Sequence, residues 1–281
     1  MLLGLAVGDA LGAPLEWLHP EQIAARYGGP LRDLVEFPPW GRGEWTDEAA
    51  MALCLAESLT EKGGYDAEDA FSRYAQFVRS RPPDVGADVE QVLVRARSTV
   101  EAREAARETG QQAPGNGALV RTAPLALRYH DDPGALDRYS RADAELTHHD
   151  PQAGEACLWL DMTLAALVRG RDRPRSTSAV AVSAEQAICA PQEDLAAEVQ
   201  QRPSDALTAL RVGFAAAFRH DDPESAIVFA ANLGGDADAD AAVAGALAGA
   251  RFGGAALPER WLEPLIDRAR IAGLATRLLR R

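Results

Sequence analysis

Residues 235–253 read GDADADAAVAGALAGARFG, and the class of the fold turns on this stretch. Carboxylates stand at Asp236, Asp238 and Asp240, followed by an alanine-rich run with Gly245, Gly249 and Gly253 at four-residue spacing. Alanine has the highest helix propensity, so the run reads as a helix. Each glycine inside a helix costs about 1 kcal/mol relative to alanine. Three on one face therefore imply close approach of a neighbouring helix or a ligand. A membrane reading of this small-residue spacing fails, because the run is short and followed by charge. Packing inside a helical core is the simpler account.

Helical periodicity continues outward from this run. Ala70, Phe71, Tyr74, Phe77 and Val78 share one face of a segment at 67–80. Val85, Val89, Val92, Leu93, Ala96 and Val100 do the same in the next. Further helices are expected near 118–129, 152–169, 205–219, 223–231, 239–252 and 258–280. Breakers separate them at 37–43 (FPPWGRG), 62–64, 81–83 and 110–117. The stretch 170–202, with RDRPRSTS, is the least regular. Clear strand alternation, a fixed-period repeat and a long linker are all missing. The expected fold is all-α: a single compact multi-helix domain over 1–281 with a central metal-binding cleft. Hydrophobic residues make up 47% of the chain but aromatics only 6%, so alanine and leucine do most of the packing.

Charge and cysteine usage narrow the function. Forty-two Asp plus Glu against 29 Lys plus Arg give a net charge of -13. A general nucleic-acid binder needs a basic footprint, so that class is set aside. A phosphate-bearing small molecule remains open, because metal ions and helix N-termini supply local positive potential. Cys54, Cys157 and Cys189 show no CxxC spacing, which argues against a disulfide framework or zinc site. The apolar start MLLGLAVGDALG lacks a basic region and carries Asp9, unlike a signal peptide. A soluble, cytoplasmic protein without a membrane partner is expected.

Two acidic clusters precede apparent helices: Glu44-Trp45-Thr46-Asp47-Glu48, and Gly234-Gly235-Asp236-Ala237-Asp238-Ala239-Asp240. Alone, each reads as a helix cap with carboxylates in the first turn. Together they exceed what capping needs. Alternating oxygen donors on a turn suit a hard cation such as magnesium, which shares its remaining positions with water and phosphate. The Gly115-Asn116-Gly117 turn ahead of a helical run would present backbone N–H groups to a phosphate, or serve as an ordinary turn. Either histidine of Leu146-Thr147-His148-His149-Asp150 could contact a ligand or be structural.

All these elements occur in one order: GLAVGDALGAPLEW at 4–17, GEWTDE at 43–48, GNGALVRTAPLAL at 115–127, THHDP at 147–151 and NLGGDADADAAVAGALAGA at 232–250. In this series the chain resembles the ADP-ribosylglycohydrolase family, which includes the dinitrogenase reductase-activating glycohydrolases. The resemblance implies an all-α fold and a magnesium-dependent hydrolase that removes ADP-ribose from an ADP-ribosylated protein or a small-molecule ADP-ribosyl substrate. It implies two Mg2+ ions, with Mn2+ as a substitute, held by Thr46, Asp47, Glu48, Asp236 and Asp238. Gly115, Asn116 and Gly117 would cradle the diphosphate, and His148 and Gly235 would complete the substrate wall. Asp47 and Glu16 are the two candidates for the proton-handling carboxylate. In some members the glutamate corresponding to Glu16 lies in a mobile loop.

The chain departs from the family pattern at three positions. Glu48 stands where the family has an aspartate, and Ala237 and Ala239 replace the two threonines of the last motif. Asp240 is a possible substitute ligand. A single metal, a member that binds ADP-ribose without turning it over, and a hydrolase of another ribosyl substrate are the alternatives these departures raise.

Overall fold

The computed structural model describes residues 1–109 and 114–280. Sixteen α-helices run in order through the described residues: α1 (Leu2–Gly12), α2 (Pro20–Tyr27), α3 (Asp47–Lys62), α4 (Ala67–Arg79), α5 (Ala87–Arg95) and α6 (Thr99–Glu108). They continue as α7 (Pro124–Arg128), α8 (Pro133–Ala144), α9 (Pro151–Val168), α10 (Ala179–Ala187) and α11 (Gln192–Gln201). The last are α12 (Ala206–Arg219), α13 (Pro223–Ala231), α14 (Ala237–Phe252), α15 (Glu259–Leu262) and α16 (Arg268–Leu279). No strand occurs among the described residues, and Phe37–Trp40 and Gly115–Asp205 form isolated bridges only. The all-α, single-domain expectation holds.

Helix α14 is the axis of the molecule. Every residue from Ala237 to Gly249 is buried, and α1, α12 and α13 pack around it. A Cβ built on Gly4 would lie 2.2 Å from Gly245 O, and one on Gly245 would lie 2.0 Å from Gly4 O. At Gly8 the nearest atom is Ala241 O at 2.0 Å, and at Gly12 it is Ala237 O at 2.2 Å. The two helices therefore touch backbone to backbone, and any side chain at these positions would force them apart. Gly245 and Gly249 fulfil the packing expectation. Gly253 does not: it ends α14 at φ +85 with nothing within 4 Å of its Cβ position, so it stops the helix.

Other boundaries follow from local chemistry. Asp132, Asp150 and Asp222 each precede a proline and accept a backbone N–H in the next turn. The proline supplies a helical φ where no N–H is needed, so Asp-Pro starts a helix three times. The expected single helix across 85–100 is two. Extended backbone at Ala96 ends α5, and the Ser98 side chain caps α6, so Val100 is rotated out to 60% exposure. The expected helix at 118–129 shrinks to α7, because residues 117–123 form a run of turns. Likewise 258–280 divides into α15 and α16, and the irregular stretch 170–202 contains α10 and α11. Of the breaker at 110–117, residues 110–113 lie outside the described residues. No described helix is long and apolar enough to cross a membrane.

The helix contact yields the first prediction. Gly8→Ala should lower unfolding free energy in urea by about 1–3 kcal/mol, the usual overpacking cost. Gly134→Ala, within α8 and in ordinary van der Waals contact with Asp132 Oδ1 at 3.6 Å, should be neutral or stabilising by up to about 1 kcal/mol. Equal effects at both positions would contradict the close packing.

Candidate active site

The site is assembled at the N-terminal ends of α3 and α14, which α1 brings together. Asp9 sits on α1, fully buried in an otherwise apolar helix. Its Oδ1 accepts from Thr46 N at 2.9 Å and its Oδ2 from Ala49 N at 2.8 Å. Asp9 thus caps α3 from outside, and Thr46 makes no side-chain cap bond of its own. Instead Thr46 Oγ1 lies 2.8 Å from Asp9 Oδ1 and 3.2 Å from Asp238 Oδ2, joining α1, α3 and α14. Asp236 likewise makes no side-chain cap bond at the start of α14. The capping account of the two acidic clusters is therefore replaced.

A cleft of about 380 Å3 opens over these helix ends. Glu16, Asp47, Glu48, Asp84, Asp236 and Asp238 line one part of it, and Gly115, Asn116, Gly117 and His148 line another. Nine expected site residues meet here. Thr46 lies just beneath, bonded to Asp9, and Gly235 is not among the lining residues. Gly235 has φ +65, and its carbonyl accepts from Trp17 N at 2.7 Å, tying down the segment that carries Glu16.

Carboxylate oxygens of Glu16, Asp84 and Asp238 all lie within 4.8 Å of one another. Of the five expected metal ligands only Asp238 belongs to this trio. Three of the expected ligands accept from protein donors: Asp47 Oδ2 from Gly86 N at 3.1 Å, Asp236 Oδ2 from Asn116 Nδ2 at 3.1 Å, and Asp238 from Ala239 N at 2.9 Å and Thr46 Oγ1 at 3.2 Å. Glu16, one of the two candidates for the proton-handling carboxylate, belongs to the convergence. Asp84 was not expected, and only its place after the Pro82-Pro83 break hinted at an exposed turn. Asp9 was also missed, although a lone carboxylate in an apolar helix needs buried partners. Asp240 does not face the cleft. It lies behind it beside Asp205 and Thr208, so it is not placed to replace a threonine ligand.

Burial and crowding disfavour charge on these groups. Burial raises Glu16 to about 8, with Asp84, Asp236 and Asp47 adding repulsion. Burial likewise raises Asp47 to about 6 and Asp9 to about 7, the latter against hydrogen bonds from Thr46 and Ala49. Glu48 and Asp238 are held well above the usual carboxylate range by burial and by their acidic neighbours. Among the described residues no Lys or Arg lines the cleft. Converging hard oxygen donors without a basic partner are the donor set that suits Mg2+ or Mn2+, so the residues fit such an ion.

The opposite wall is rigid. Arg121 and Asp143, both fully buried, pair at 2.8 Å, and Arg121 Nη1 donates to Thr147 Oγ1 at 2.8 Å. Thr147 Oγ1 in turn lies 2.8 Å from His148 Nδ1. Burial, then the Arg121 charge, lowers His148 to about 3, so its ring stays neutral. His149 is exposed and does not line the cleft, whereas His148 does. The glycine turn differs from expectation. Asn116 N–H donates to Ser204 O at 2.9 Å, and neither Gly115 nor Gly117 has a positive φ. Their glycines are explained by crowding: a Cβ at Gly115 would lie 2.8 Å from His148 Nε2, and one at Gly117 2.7 Å from Val89 Cγ2.

The pattern of the ADP-ribosylglycohydrolase family matches residues 1–281. The chain belongs to that family. It is 32% identical to an ADP-ribosyl-[dinitrogen reductase] glycohydrolase of Rhodospirillum rubrum, over 94% of this chain and 88% of that protein. It is 30% identical to the ADP-ribosylarginine hydrolase Tri1 of Serratia proteamaculans, over 99% of this chain and 77% of that protein. A solved structure described as an ADP-ribosylglycohydrolase-related protein complex superimposes with a TM-score of 0.77 at 34% identity, covering 99% of this chain and 95% of that one. Membership places the chain among hydrolases of glycosidic bonds.

The raised carboxylates generate a pH prediction. Glu16 binds its proton more tightly folded than unfolded, so its stabilising contribution is complete below about pH 4.5 and lost as pH rises through about 8. In chelator, Glu16→Gln should therefore melt progressively higher than the wild type between pH 5 and pH 8. Scanning calorimetry that finds a constant difference would refute the crowding of Glu16.

Proposed function

We propose that this chain hydrolyses the N-glycosidic bond between the terminal ribose of ADP-ribose and an arginine side chain, supported by Mg2+ or Mn2+. The observation that carries this reading is the convergence of Glu16, Asp84 and Asp238 beside the Gly115–Asn116–Gly117 and His148 wall. The names of the relatives, one acting on ADP-ribosylarginine and one on ADP-ribosylated dinitrogen reductase, favour the same linkage.

In this reading Glu16, Asp84 and Asp238 hold the cation, with Asp47, Glu48 and Asp236 around them. A divalent ion bound there would polarise the attacking water and orient ribose hydroxyls. The neutral His148 ring and the glycine turn, whose Gly115 and Gly117 add no side chains of their own, would face the diphosphate. Asp47, raised only to about 6, is ionised at neutral pH and suited to take the water proton. Water oxygen bonds to the anomeric carbon, the carbon–nitrogen bond breaks with its electron pair going to the guanidine nitrogen, and that nitrogen receives the proton. The surrounding carboxylates stabilise the positive charge that develops on the sugar.

A release assay on linked peptides tests the proposal. Wild-type protein with Mg2+ should free ADP-ribose from arginine-linked peptide faster than from serine-linked peptide, and chelator should stop it. Asp238→Asn should weaken metal binding by calorimetry and slow release by about a hundredfold or more while helical circular dichroism persists. Binding of ADP-ribose without release from either peptide would favour the non-catalytic alternative that Glu48 and Ala239 raise.

The departures from the family pattern are testable in themselves. Glu48→Asp combined with Ala239→Thr should tighten metal binding and raise turnover more than the two single changes predict, because neighbouring ligands couple. A double variant no better than wild type would mean that Glu48 already completes the centre.

A further inference from the structure

A second cavity, of about 330 Å3, adjoins the cleft and shares Asp47 and Asp84 with it. Gly115, Asn116, Gly117 and His148 line the first cavity only. A substrate with its phosphates on the glycine wall and its scissile bond at the carboxylates therefore has its leaving group facing the second cavity. Three aromatic rings stand there: Trp40, Trp45 and Phe77. The Trp45 ring is fixed by its Nε1 donating to Ile266 O at 3.2 Å, and Trp40 stacks on Phe37 with centroids 6.0 Å apart. Glu44, whose Oε2 accepts from Gly41 N and whose Oε1 has no hydrogen-bond partner among the described residues, joins Asp47 and Asp84 on the wall. The fourth carboxylate, Asp267, is paired with Arg270 at 2.6 Å. Among the described residues no Lys, Arg or His lines the cavity.

We propose that this cavity is the aglycone subsite and selects a guanidinium leaving group by stacking on Trp40 and Trp45 and by pairing with Glu44. The inference rests on the hydrolase reading above and adds the determinant of its linkage preference. Guanidinium is flat, delocalised and weakly hydrated, so it stacks on aromatic faces and pairs with a carboxylate at the same time. A serine hydroxyl offers neither charge nor a plane, and an ammonium is compact and strongly hydrated. Neither uses both the rings and the carboxylate.

Trp40→Leu and Glu44→Gln test the assignment, since the first removes an aromatic face while keeping an apolar side chain and the second removes a charge at nearly unchanged shape. Measured on the full chain with Mg2+, each should lower kcat/KM for an arginine-linked peptide about tenfold, chiefly through KM. Release from a serine-linked peptide and the Kd for free ADP-ribose should stay within about twofold. Agmatine, a free guanidinium probe, should compete with the arginine-linked peptide on wild type and lose that effect in Trp40→Leu. Wild-type rates on the arginine-linked peptide in both variants would overturn the subsite and leave the hydrolase reading standing. A wild type that releases nothing from the arginine-linked peptide would overturn both, and is recognised before any variant is made.

Discussion

Backbone atoms of α1 and α14 lie so close that a methyl group at Gly4, Gly8 or Gly12 would come within 2.2 Å of a carbonyl oxygen on the facing helix. Everything at the site depends on that contact. It sets Asp9 of α1 beneath the first turn of α3 and beside Asp238 of α14, with Thr46 touching both. Two helix N-termini are thereby aimed at one cleft, where their partial positive charge offsets some of the crowding of carboxylates. Alanine and glycine are the residues that make the approach possible. The low aromatic content and the abundance of alanine along α14 are two sides of one packing solution.

The cleft is electrostatically one-sided. Its carboxylates are buried together, and cationic side chains are used elsewhere: Arg121 is spent on Asp143, and the helix-surface arginines pair with their own neighbours. Such an arrangement is costly unless a proton or a cation neutralises it, and the cost marks a functional site rather than a stabilising one. Arg121 shows the other use of buried charge. Its donors reach Asp143, Thr147 and Gly117, fixing the turn and the histidine on that side of the cleft.

Much of this was legible in the residues. Period-3.6 patterning marked most helices, and Asp47, Glu48, Asp236 and Asp238 of the paired acidic clusters, the GNG turn and His148 reached the cleft. Failures have identifiable physical causes. The helix expected over 85–100 broke at Ala96 because Ser98 offers a cap that apolar periodicity does not register. The turn at 117–123 kept its apolar spacing yet stayed non-helical, with Asn116 drawn to Ser204 and Asp236 across the fold. Gly253 shared the spacing of Gly245 and Gly249 but fell one turn past the end of the contact.

By itself the sequence determined the class of the fold and the identity of the acidic groups, because propensity, apolar period and residue chemistry are local properties. Which carboxylates converge was decided only by tertiary structure. Glu16, Asp84 and Asp238 are distant along the chain, and their meeting depends on how closely α1 approaches α14 and on which carboxylate oxygens backbone and side-chain donors have already claimed. The same holds for Asp9, whose capping of a helix 37 residues away has no signature in its own neighbourhood. Distances between elements are set by packed volume, and packed volume is a property of the assembled core.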